Sequence, residues 1–296
     1  DYWYEDGVKQ GTEGRGKEIY DPESDAWYWL DSDANGAKAV SKDVYQESDG
    51  GKWVRYDANG QMIKGWNTNE NGTYYFDPIT GAMAKGDVEI DGVPCSFDET
   101  TGIGLNLAWK QENGKDYWYE NGVKQGTTGR GKEIYDPASD AWYWLDAVDQ
   151  GKKATSKDVY QESKAGQWAD RADGTGKWVR YDENGHMVKG WQTTDKGTYY
   201  FDLITGAMAK GDIVVDNLTC SFDTTTGIGC NLMWHSMDGK DYWYEAGKRQ
   251  GYDPNNAAYR GKEIYDASSD AWYWLDAVDG GAKAVNKDVY QESDGG

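Results

Sequence analysis

The pentapeptide DYWYE begins at residues 1, 116 and 241, and KEIYD at 17, 132 and 262. A chain that repeats itself this closely is built from one supersecondary unit used several times, so fold and site must be read per repeat. The first repeat spans 1–115, the second 116–240, and a third, partial one 241–296. The second is longer by the segment KAGQWADRAD (Lys164 to Asp173), inserted ahead of GKWV. The third carries an insertion at YDPNNAAY (Tyr252 to Tyr259), where Pro254 and Asn255 mark a surface loop. Because the chain starts and stops inside a repeat, it reads as a piece of a longer protein.

A shorter period lies inside each repeat. The hydrophobic residues that close the aromatic runs are Tyr4, Leu30, Tyr56, Phe76, Phe97 and Tyr119, followed by Leu145, Tyr181, Phe201, Phe222, Tyr244 and Leu275. These twelve anchors recur about every 23 residues, five to a repeat. Runs such as KWVRY, TYYF and WYWL, each followed by an Asp- or Gly-rich turn such as DANG, DPITG or ENG, read as strand, tight turn, strand. The expected fold is all-β, an elongated solenoid of about 12 stacked β-hairpins in one continuous array. Composition agrees, because aliphatic residues are few while 16 Trp, 23 Tyr and 4 Phe are available to fill the space between hairpins. A lone hairpin is marginal in water, so stacking is obligatory.

The net charge is −21, and no basic stripe interrupts it. This excludes nucleic acid as a partner, since nothing would neutralise phosphates. No apolar run approaches membrane-spanning length, so insertion into a bilayer is not expected. Three cysteines are present. Cys220 and Cys230 flank the turn of CSFDTTTGIGC, which predicts a disulfide across one hairpin, against the alternative of two buried thiols; Cys95 should stay free.

Residues 51–86, GKWVRYDANGQMIKGWNTNENGTYYFDPITGAMAKG, and 176–211, GKWVRYDENGHMVKGWQTTDKGTYYFDLITGAMAKG, carry the pattern W-x-x-[YFL]-D-x-x-G-x-M-x-x-G-W followed by G-x-Y-Y-F-D. They resemble the choline-binding or cell-wall-binding repeats of Gram-positive surface proteins, whose relatives include glucan-binding repeats. The resemblance implies aromatic cages at hairpin junctions, with one aromatic three residues before an anchor, a second ten before the next anchor, and a third one before it. A quaternary ammonium has no N–H to donate, and aromatic faces hold it by cation–π attraction. Testing every junction gives two complete triads, Trp53, Trp66 and Tyr75, and Trp178, Trp191 and Tyr200. Incomplete sets, including Trp109 with Trp118 and Trp234 with Trp243, are expected to be secondary stacking platforms for sugar rings or simply core. Arg55, placed opposite Trp27, would repel a cation there.

No catalytic constellation is visible. Only His186 and His235 occur, and the first repeat has Gln61 and Lys110 in their places. No nucleophile elbow, phosphate loop or zinc spacing is present. DSDANG (Asp31 to Gly36) matches the first half of a calcium loop, yet Lys42 stands where the closing Glu should be, so an Asp-rich turn is the expected answer and neither metal nor cofactor is anticipated. The sequence therefore predicts a non-catalytic, extracellular module of a surface or secreted protein. It would bind choline-type groups or wall polysaccharide; the alternatives are recognition of α-glucan or host glycan, and a structural stalk.

Overall fold

A computed structural model describes residues 1–47, 50–162 and 176–291. The Lys164–Asp173 insertion lies outside the described residues. The chain divides into two compact units, 1–136 with 144–153 and 137–143 with 154–296, the division falling inside the Ala141–Asp146 strand. Both are all-β, and the described residues contain no α-helix, only single 3-10 turns such as Ser32–Ala34 and Ala277–Asp279.

In the first unit, antiparallel hairpins pair Gly16–Asp21 with Ala26–Asp31, Lys42–Gln46 with Lys52–Tyr56, Gly65–Asn69 with Gly72–Phe76, Gly86–Ile90 with Val93–Phe97, and Ala108–Glu112 with Lys115–Glu120. The second unit repeats this order with Lys157–Glu162 and Gly176–Tyr181, Gly190–Thr194 and Gly197–Phe201, Gly211–Val215 and Leu218–Phe222, Met233–Met237 and Lys240–Glu245, and Gly261–Asp266 and Ala271–Asp276. All twelve anchors fall at or next to the end of a strand. Eleven are buried, at 3% exposure or less, and form the spine of the core. Tyr4, whose short strand pairs with Val8–Lys9, is exposed.

The register departs from expectation in one respect. At most anchors the tight turn precedes the aromatic run rather than following it. The Asp-led turn after the anchor closes only a single bridge, as in Phe76 to Met83 and Phe97 to Gly104. The cause is local: the Asp77 carboxylate accepts from the Ile79 and Thr80 amides (2.9 and 2.7 Å) and the Thr80 hydroxyl (2.9 Å), which curls the chain too tightly to start a strand. The turns after Tyr4, Tyr119 and Tyr244 instead lead directly into a paired strand, Val8–Lys9, Val123–Lys124 and Lys248–Arg249, and those after Leu30, Leu145 and Leu275 do so through a 3-10 turn, into Ala37–Lys38, Lys152–Lys153 and Ala282–Lys283.

Successive hairpins are joined by the return segment that follows each such turn. The Met83 amide donates to the Trp53 carbonyl of the preceding hairpin, and the adjacent Ala84 amide donates to the Tyr75 carbonyl of its own, both at 2.8 Å. Met62 and Ile63 bond in the same way to Trp27 and Arg55, and Gly104 and Leu105 to Thr73 and Ser96. The second unit repeats the device with Met208 to Trp178 and Ala209 to Tyr200. Neighbouring amides of extended backbone point to opposite sides, so one short strip is bonded on both edges. Side chains reinforce the step. The Met62 sulfur packs on Gly81 and the Met83 sulfur on Gly102, with Met187 on Gly206 and Met208 on Gly227 in the second unit. Met62 and Met187 are thus packing residues.

A Cβ at Gly81 would overlap the Met62 sulfur, and φ there is +68°. Gly65 has a similar φ of +72° but open space beside it. Gly81→Ala is therefore expected to lower stability by more than about 1 kcal/mol, and by more than Gly65→Ala, in urea unfolding of the full chain.

The capping carboxylates give a pH dependence. Asp77, Asp98 and Asp223 are held below the usual carboxylate range, first by the amides of Thr80, Thr101 and Thr226 and next by those residues' hydroxyls. A pKa lowered in the folded state contributes stability that is complete above the unfolded value, near 3.9, and is lost as pH falls through the folded value. The thermal midpoint should be flat from pH 7 to about 5 and drop below about pH 4, with Asp77→Asn weakening the acid limb.

Candidate aromatic ligand site

The two-edged return segment explains why aromatics three before one anchor and one before the next meet. Trp53 and Tyr75 supply the two carbonyls that Met83 and Ala84 bind, so they stand on opposite edges of one strip. Trp66 is directly cross-strand from Tyr75, and their rings lie 5.1 Å apart at 62°. Trp66 also rests on Phe97 of the following hairpin, at 5.9 Å. Trp53 makes no ring contact with Trp66 or Tyr75; its ring contact is with Tyr45, across its own hairpin at 5.5 Å. The second triad copies this arrangement. Trp191 meets Tyr200 at 5.1 Å and Phe222 at 5.8 Å, while Trp178 turns to Tyr160 at 5.4 Å.

Two of the three predicted aromatics are therefore brought into contact in each copy, and the third stands across the strip. Tyr45 and Tyr160 were not foreseen, although KDVYQ recurs at 42 and 157, ahead of each GKWV run, and alternates as a strand should. The same cross-strand Tyr–Trp pairing appears at Tyr20 with Trp27 and at Tyr265 with Trp272, both at 5.3 Å. All four of these rings are exposed, as are Tyr45 and Trp53.

The chain's own cations occupy several of the faces. Lys85 lies 5.5 Å from the Trp53 ring, Lys210 5.6 Å from Trp178, and Lys248 4.5 Å from Trp191. Trp66 has no cation over it and is 44% exposed. The two triads are thus unequal, and the Trp66 face is the open one. Arg55 does not confront Trp27 as a free charge. Asp43 binds its guanidinium through two oxygens (2.6 and 2.9 Å), and the guanidinium lies over Tyr74 at 4.0 Å.

The secondary platforms require correction. Trp118 and Trp243 are buried, at 1% and 3% exposure, and cannot present a face to a sugar. Each receives a partner edge-on, Trp109 at 5.0 Å and Trp234 at 5.1 Å. Trp109 and Trp234 donate their indole N–H to Asp136 and Asp266, both at 3.1 Å, and are overlain by Lys153 and Lys283. Trp118 and Trp243 are core, and Trp109 and Trp234, each under a lysine, cover them.

The expected disulfide is also absent: Cys95, Cys220 and Cys230 are free thiols. The Cys230 amide bonds to Ser221, one residue beyond Cys220, and consecutive strand residues face opposite sides. The Cys230 sulfur accordingly meets the Ser221 hydroxyl at 3.5 Å, while burial pushes the Cys220 thiol up to about 11. In DSDANG, the Asp31 carboxylate caps the Asp33 amide at 3.1 Å and pairs with Lys42, the residue in the closing position. The histidines are similarly accounted for. His235 bonds Asp212 at 3.0 Å, and His186 stands edge-on to Tyr143.

This geometry defines a module of stitched β-hairpins with exposed aromatic pairs at its junctions. Residues 46–102 and 174–212 match the family model of the choline-binding repeat. The fold is that of choline binding protein F from Streptococcus pneumoniae, with a TM-score of 0.57 over 94% of this chain and 95% of that one at 20% identity. The chain is also 28% identical over 218 residues to a glucosyltransferase-S of Streptococcus downei, a match covering 65% of this chain and 15% of that enzyme. It therefore spans a small fraction of the length of that relative.

Trp118→Ala should cost about 3–5 kcal/mol in urea unfolding, as expected for a large core ring, and Trp66→Ala less than half as much.

Proposed function

We propose that this chain is a non-catalytic binding module that attaches an extracellular protein to choline-type groups of a Gram-positive cell wall. The observation that carries the reading is the uncovered Trp66 face beside Tyr75, at the junction where Trp53 stands across the return strip. The Trp66 face offers π-electron density, and the surrounding charge of −21 favours a cationic ligand. The streptococcal origin of the relatives supports a cell-surface location.

Titration with choline, followed by Trp fluorescence, should give a saturable change that Trp66→Ala abolishes and that Trp109→Phe leaves in place. Absence of any saturable change in the wild-type chain would sink the choline reading.

A second reading, α-glucan recognition, has its own support. The exposed cross-strand pairs Tyr20–Trp27, Tyr45–Trp53 and Tyr265–Trp272 are tilted aromatic platforms of the kind on which sugar C–H faces pack, and one relative is a glucosyltransferase. Retention on immobilised dextran, lost on Trp272→Ala and insensitive to choline, is the expected result if this reading is the right one.

A further inference from the structure

Two corresponding regions of the chain differ by a few substitutions that change the chemistry. In the first, Glu112 accepts from the Tyr119 hydroxyl (2.5 Å) and from Lys124 (2.6 Å), so one internal carboxylate satisfies both. In the second, 125 residues on, Met237 takes the place of Glu112 and Arg249 that of Lys124. The Tyr244 hydroxyl and the Arg249 Nε are consequently both buried without a hydrogen-bond partner. Val123, which packs near Phe97, is replaced by Lys248, whose ammonium lies over Trp191. Among the described residues, neither Lys248 nor Arg249 has an acidic partner, whereas the nearby Lys240 and Lys262 pair with Asp279 and Glu245.

Both cations line a pocket of about 360 Å³, together with Trp191, Tyr252 and Tyr259. The two tyrosines come from the YDPNNAAY insertion, which the first region lacks. The Arg249 guanidinium lies 4.8 Å from the Tyr242 ring and 5.9 Å from Tyr252. Asp216 and Asp253 also line the pocket, but neither pairs with a cation, and Asp253 is engaged in capping the Asn255 amide at 2.9 Å. An aromatic face holds an ammonium without cancelling its charge, so Lys248 still presents a cation. The pocket thus combines two cations that form no direct ion pair with rings able to stack on a saccharide, at a volume within the ordinary range for small ligands.

We infer that this pocket binds an acidic saccharide, whose anionic group is held by the two cations of the lining, Lys248 and Arg249. The second triad is then not a copy of the first. Lys248 closes Trp191 to quaternary ammonium groups and directs the site to the opposite charge. This goes beyond the choline reading and does not rest on it, since it concerns a different Trp and a different ligand class.

The test uses the full chain carrying Trp66→Ala, which silences the open triad, with binding followed by calorimetry and Trp fluorescence. Trigalacturonate supplies a sugar carboxylate, glucose 6-phosphate a sugar phosphate, and maltotriose and inorganic phosphate are the neutral and ring-free controls. Saturable binding of either acidic sugar, weakened at least tenfold by Lys248→Val and by Arg249→Gln and weakened by added NaCl, is expected; the tighter of the two identifies the anion source. Lys248→Val installs the residue of the first region and should also uncover a choline response at Trp191. Equal affinity in both variants, maltotriose or phosphate binding as tightly as the acidic sugars, or no binding of either acidic sugar, would each overturn the assignment. Because choline binding at Trp66 is measured separately in the unmodified chain, failure of one reading leaves the other standing.

Discussion

Everything in this molecule hangs on a pair of adjacent backbone amides. In each return segment one N–H reaches back to the hairpin before and the next reaches the hairpin just completed, as Met83 and Ala84 do toward Trp53 and Tyr75. The interaction is blind to side chains, since only carbonyls accept. It therefore tolerates Thr73 and Thr198 as readily as Trp53 and Trp178 at the accepting position. The methionine that follows the turn adds specificity of spacing, because its sulfur fits only over a residue without Cβ. Backbone bonding sets the step, and methionine on glycine locks it.

The spine of anchors and the number of hairpins could be read from the sequence because burial there depends on periodicity, which the letters display. Leu30, Tyr56, Phe76 and their counterparts are buried as their spacing requires. The side on which each tight turn lies was less legible. DPITG looks like a hairpin turn, and only the hydrogen bonds of Asp77 to Thr80 reveal that it curls the chain into a bridge instead. The error with Cys220 and Cys230 has the same origin, since a one-residue offset in register moves a side chain to the other face.

The site was half legible. Trp66 with Tyr75 and Trp191 with Tyr200 followed from the cage positions that the family resemblance implies, and each pair is cross-strand within one hairpin. What counting could not supply was exposure. Trp66 and Trp109 hold the same position, ten residues before an anchor, yet Trp109 is overlain by Lys153 while Trp66 stays open. Nor could the motif show that lysines fill the faces of Trp53, Trp178 and Trp191, because those lysines lie outside the pattern and come together with the rings only through stacking.

The exchange of Val123 for Lys248 carries a wider lesson about this architecture. The two residues occupy the same rung, beside Cys95 and Cys220 respectively, and the strand pairing around them is unchanged. A junction can thus exchange an apolar side chain for a cation while its strand pairing stays the same. An array built this way behaves like a keyboard: each key can be retuned on its own, and the combination of tones, rather than any single contact, becomes what natural selection can compose.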